Sequence, residues 1–160
     1  SDKAVGKPRR ELQQADELSI YTTPASPADL RKALEIVKPK TVYVFAIPPA
    51  EEKPDEFLAH LAGLCKFVLN QRGGKTTTSE LAAAMSCRES AVQVSLEWLS
   101  ATGQLTVTME DDNLTLSKET REKNPYLQAE LFVALRGILN ETSAYRKFFA
   151  TADLTKIFQT

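Results

Sequence analysis

His60 is the single histidine of the chain, and Cys65 and Cys87 are its two cysteines. Triads of the Ser-His-Asp kind, His-based metal sites and His acid-base schemes need the imidazole joined by particular partners. Phe57, Leu58, Leu61 and Leu64 around His60 predict a helix with the ring on its flank, solvated or capping. The cysteines sit in apolar helical patterns without C-x-x-C spacing, which argues against a disulfide framework or a zinc site. Arg72-Gly-Gly-Lys-Thr76 carries the Gly-Lys-Thr end of a phosphate-binding loop. Its first glycine should stand where Leu69 stands, and a strand should precede it where a helix is expected, so a flexible helix-to-helix turn is predicted. Glu110, Asp111 and Asp112 are a charged hairpin tip, predicted as a solvated turn and not as metal ligands. Asn113-Leu-Thr115 and Asn140-Glu-Thr142 match the glycosylation pattern, which has no bearing on a cytosolic chain.

Three cations could touch phosphate: Arg72, Lys75 and Arg88 form a small candidate DNA-contacting rim. Residues 55–118 hold five basic side chains against eight acidic, a net charge of -3. A helix entering a major groove crosses a dense phosphate field, so this stretch is a poor reader of duplex DNA. Val94 and Trp98 fall on a helix face different from that of Val92, Leu96 and Leu99; they either pack within the chain or mark a contact surface. Tyr145, Phe148 and Phe149 add an aromatic C-terminal end, a second candidate partner surface.

The elements that must position these groups predict a mixed α/β fold. The polar segment 1–17 leads to a β-α-β unit with its Pro-rich linker over 18–54. Leu18 to Thr22 is β-prone, Ser26 and Pro27 supply an N-cap and a first helical residue, and Pro39 stops the helix. Thr41 to Ile47 is nearly continuous in apolar character, as a strand buried on both faces would be. The strands should be parallel with a right-handed crossover. Two parallel strands make an incomplete sheet. A third strand in the N-terminal segment, further elements of a larger protein or an oligomeric partner would finish it.

Residues 55–118 predict a winged-helix-like module. An amphipathic helix ends before Gly73-Gly74, a short helix begins at Thr78 or Ser79, and a third runs from about Glu89 to Ala101. Leu105–Met109 and Leu114–Leu116 then alternate as a hairpin. Over 119–160 Asn124-Pro125 opens a helix through Leu139, followed by two short helices at Ser143–Phe149 and Asp153–Phe158. The whole chain is near neutral at -1, has no apolar run of membrane-spanning length and no signal-peptide pattern, and is expected in the cytoplasm.

Taken together, Tyr21-Thr-Thr-Pro24 with Ser26-Pro27, the helix ending Lys38-Pro-Lys40, Thr41-Val-Tyr-Val-Phe45, and Ala144-Tyr-Arg-Lys-Phe-Phe149 with Asp153-Leu154 form a familiar order. It resembles the C-terminal region of the bacterial RecJ family, single-stranded-DNA-specific exonucleases among the DHH phosphoesterases. The resemblance spans most of the chain, roughly Leu18 to Phe158. It implies an accessory domain used in DNA repair and recombination, whose parent hydrolyses phosphodiesters from the 5′ end with Mn or Mg held by Asp and His ligands in its catalytic domains. None of those ligands can be carried onto this chain, which has no Asp-His-His sequence, so neither catalytic residues nor a cofactor are expected here. The implied partners are the parent's catalytic domains, another DNA-repair protein and, weakly, single-stranded DNA, with no membrane. Two alternatives stand: a self-standing winged-helix transcriptional regulator, and a small α/β enzyme, which lacks a nucleophile-base pair at the end of the second strand.

Overall fold

The computed structural model describes residues 11–158 as two compact units. The first is Ser1–Pro49 with Ser143–Thr160, and the second is the continuous stretch Ala50–Thr142. Six helices and two small sheets are present among the described residues.

In the first unit β1 (Glu17–Thr22) pairs parallel with β2 (Thr41–Ile47), in the register Glu17 to Thr41 through Ile20 to Val44. The register shifts between Ile20 and Thr22, where Ala46 takes a positive φ of 55°, the left-handed residue that a β-bulge accommodates. Helix α1 (Pro27–Val37) joins the strands. It begins as the residue types demand: Ser26 is the N-cap, its Oγ accepts from the Asp29 N–H at 3.1 Å, and Pro27 opens the first turn. It ends at Lys38, which adopts φ 49°, one residue before Pro39. Leu30 and Leu34 of α1 pack with Ile20, Val44 and Ala46 of the strands and with Phe149 and Ile157.

That core lies on one face of the sheet only. Exposure alternates strictly along β2, with Val42, Val44 and Ala46 half-buried and Tyr43, Phe45 and Ile47 exposed. The expectation that β2 is buried on both faces is therefore corrected: an apolar run of seven residues does not reveal which face is covered. The pairing stays two-stranded, and residues 11–16 add no strand. The part of the proposed third strand that falls on residues 1–10 lies outside the described residues.

The second unit opens with α2 (Pro54–Gln71), whose Glu56 carboxylate accepts from the Lys53 N–H at 3.3 Å. Phe57, Leu58, Leu61, Cys65 and Val68 form its buried stripe. Then come β3 (Lys75–Thr77), α3 (Thr78–Ala84), α4 (Glu89–Ala101) and the antiparallel pair β4 (Thr106–Glu110) and β5 (Asn113–Ser117). The sheet order is β3-β5-β4. Lys75 and Thr76, expected at the end of a flexible turn, thus form with Thr77 a third strand of this sheet, with Thr76 opposite Leu114. The turn itself is real: Gly73 and Gly74 both have positive φ, and the Leu116 N–H donates to the Gly74 carbonyl at 2.7 Å. Leu81, Ala82, Val92, Leu96, Leu114, Leu116 and Leu135 complete one apolar core with α2.

Helix α5 runs unbroken from Pro125 to Thr151, and α6 is the single turn Leu154–Ile157. The predicted separate helix at Ser143–Phe149 is corrected: it is the end of α5. Asn140-Glu-Thr-Ser143 has modest helix propensity but neither Pro nor Gly, and Thr142 is buried, so packing overrides propensity. Residues up to Thr142 belong to the second unit and those beyond to the first. No helix among the described residues is long and apolar enough to cross a membrane.

Candidate interaction surfaces

Of the three candidate phosphate contacts, Arg72 and Lys75 flank the turn from α2 into β3, and Arg88 is the N-cap of α4. Arg72 lies over the Phe67 ring, 5.9 Å from its centroid, and its Nη1 is 3.2 Å from Glu80 Oε2. The same Glu80 oxygen accepts from Thr76 Oγ1 at 2.9 Å. Arg88 reaches α5 instead, its Nη1 3.1 Å from Glu141 Oε2, with a side chain only 21% exposed. Lys75 is exposed, opposite Thr115 of β5. The two arginines are each matched by a carboxylate, and no contact joins Arg72 to Arg88 among those described.

The hairpin tip is more than a solvated turn. Asp111 takes φ 54°, and Asp112 folds onto the start of α3. Its carbonyl accepts from the Thr78 N–H at 2.9 Å, while its carboxylate accepts from the Ser79 N–H at 3.1 Å and Ser79 Oγ at 2.7 Å. Thr77 Oγ1 takes the Glu80 N–H at 3.0 Å. Three N–H groups at the start of a seven-residue helix are thereby satisfied, which such a short helix needs. Ser79 Oγ also lies 3.3 Å from Glu89 Oε1. Its one proton favours the nearer Asp112, so with Glu80 matched by Arg72 it is Asp112 and Glu89 that keep the starts of α3 and α4 acidic.

Val94 and Trp98 are half-buried against the core of the second unit. Tyr145 is half-buried in the first unit, its ring 6.4 Å from Phe148 and 6.2 Å from Phe149. Phe148 is 52% exposed, whereas Phe149 is 1% exposed and belongs to the core with Leu30 and Ile157. As a surface residue Phe149 is corrected: with its ring sealed in the core, only Phe148 and part of Tyr145 face outward.

His60 Nδ1 lies 3.0 Å from Glu52 Oε1 on the exposed flank of α2. Cys65 and Cys87 are buried free thiols, and burial pushes the Cys65 thiol up to about 11. Such a thiol is a packing group and not a nucleophile.

The outward face of β1 and β2 escaped the sequence reading. Tyr21 and Phe45 stack there with centroids 4.6 Å apart and planes 6° apart, beside Tyr43 and Ile47. Its signal was Tyr43-x-Phe45-x-Ile47, large apolar residues at a spacing of two, which places all three on one side of a strand.

No protein family, curated protein or solved structure matches this chain.

Proposed function

We propose that the chain is a non-catalytic accessory module of a RecJ-like single-strand-specific 5′ exonuclease, acting in DNA repair and recombination, and that Ala50–Thr142 is a winged-helix-type domain used for protein contact. The order α2, β3, α3, α4 and hairpin, with β3 paired to β5, supports the winged-helix reading. The observation that carries the protein-contact reading is the pairing of Arg72 with Glu80 and of Arg88 with Glu141, beside the acidic starts of α3 and α4. Phosphates approaching that face meet neutralised arginines and unneutralised carboxylates, the reverse of what duplex recognition requires. Val94, Trp98, Tyr145 and Phe148 are the residues assigned to partner contact. The Mn or Mg of the resemblance is assigned to the parent's catalytic domains. Two buried free thiols accord with a reducing, cytoplasmic setting.

The test mixes the purified chain with a RecJ-type catalytic fragment containing the DHH and DHHA1 domains, and in parallel with duplex DNA over a range of salt. A stoichiometric complex with the fragment and weak duplex binding are expected. Tight duplex binding with a steep salt slope would instead establish the regulator. Degradation of labelled single-stranded DNA in Mn that survives repurification would overturn the non-catalytic assignment.

A further inference from the structure

Tyr21, Tyr43, Phe45 and Ile47 stand 44%, 48%, 55% and 58% exposed on one side of the β1–β2 pair, while α1 covers the other. A parallel pair is ordinarily covered on both faces, so this side is an open layer of the fold. Its residues sort by position along the strands. Glu17 lies beside Thr41 and Ser19 beside Tyr43 towards the polar end, while Tyr21 stacks on Phe45, next to Ile47, at the apolar end. Of the exposed residues of the two strands, only Glu17 carries a charge at neutral pH.

A neutral aromatic surface can meet its own copy without like-charge repulsion. We propose that the outward face of β1 and β2 is a self-association surface, on which a second copy of the chain packs the same face around a two-fold axis at Phe45, its strands running in the opposite direction. Glu17 selects that direction. With the strands of both copies running the same way, the two Glu17 carboxylates would face each other. With the strands opposed, Tyr43 of one copy faces Ile47 of the other, and the two carboxylates lie at opposite rims. They are then about 26 Å apart, eight residues of strand at roughly 3.3 Å each, and screened from one another at physiological salt. Both sheets gain the second covering layer that a parallel pair requires, at the spacing of about 10 Å usual for stacked sheets. The size of the contact is that of a weak dimer. Three rings that each present about half of roughly 200 Å² give about 300 Å² per copy and about 600 Å² for the pair, to which Ile47 and the strand flanks add. Such an area stands at the low end of specific interfaces, so a dissociation constant in the micromolar range is expected. The assignment stands independently of the exonuclease reading and uses none of the residues given to partner contact there.

The test is sedimentation velocity of the full chain from low micromolar to near-millimolar concentration, with thermal unfolding at both ends of the range. A reversible monomer–dimer equilibrium is expected, together with a melting temperature that rises with concentration, because only the folded chain dimerises. Phe45→Lys and Tyr43→Lys should each raise the dissociation constant about thirtyfold or more, the scale of a central anchor, and abolish the concentration dependence of melting. At the dilute end their melting temperatures should match that of the parent, which shows that the fold is kept. Mixing Phe45→Lys with Phe45→Glu should restore dimers that neither forms alone, since the two side chains meet at the axis. Val133→Lys, at an exposed position of α5, should dimerise like the parent. The proposal is overturned if the chain stays monomeric throughout the range, or if both β2 variants dimerise like the parent. It is equally overturned if Val133→Lys dissolves the dimer while they do not. Mixed Phe45 variants that remain monomeric would also overturn it, because Phe45 would then not meet its own copy.

Discussion

Cys65 sits in the buried stripe of α2, and removal from water raises its thiol from 9.0 to about 11. The folded state holds this proton more firmly than the unfolded chain does. The resulting stability is complete below pH 9 and is lost as the pH climbs towards 11, on the order of 3 kcal/mol in all. Urea unfolding should therefore show the wild type losing ground to Cys65→Ala between pH 9 and 11, and a difference that stays constant across that interval would refute the assignment. Gly74 makes a different demand: its φ is +79° and an added Cβ would collide with the Leu116 carbonyl. Gly74→Ala should cost about 2 kcal/mol or more, read as a fall in the urea midpoint. The turn at Gly73-Gly74 was legible because glycine pairs punctuate helices. The pressure from Leu116 was not, since β5 lies far downstream and only tertiary pairing brings it there. The same limit applied to Phe149, whose residue type announced an aromatic surface although its ring closes a core.

At the scale of elements, whatever is encoded by near neighbours was readable. Ser26-Pro27 announced the start of α1, and the apolar spacing of Phe57 to Val68 announced α2. Strand β3 was hidden because three residues carry no period, and its pairing with β5 is all that makes it a strand. Helix α5 was expected as two pieces, one through Leu139 and one from Ser143, although nothing in Asn140–Thr142 breaks the hydrogen-bond ladder. Helix α3 shows how a marginal element depends on a distant one, because its first turn is completed by Asp112. Asp112→Ala should lower stability by about 1–2 kcal/mol and expose the Thr78 and Ser79 amides to faster hydrogen exchange. Unchanged exchange at those two amides would mean that Thr77 alone secures α3.

Across the whole molecule, chain order and core membership do not coincide. Leu30, Phe149 and Ile157 share one core although most of the chain separates them, whereas the core around Leu61, Val92 and Leu135 is drawn from one continuous stretch. Composition gave the near-neutral total but concealed its uneven division, since Ala50–Thr142 carries 9 basic against 14 acidic side chains and the grouping of residues 143–160 with the N-terminal stretch holds the rest. This grouping has a consequence for the time course of synthesis. As the chain leaves the ribosome, Ala50–Thr142 can gain its full set of core contacts before residue 143 has emerged. The sheet of β1 and β2 must wait, with its inner face uncovered, until Phe149 and Ile157 arrive across a long closure that costs entropy. The module that begins first is thus the one that finishes last. A chain ending at Thr142 should keep cooperative unfolding at Trp98 while the amides of β1 and β2 lose their protection, and retained protection in those strands would show that the early half folds without its late partner.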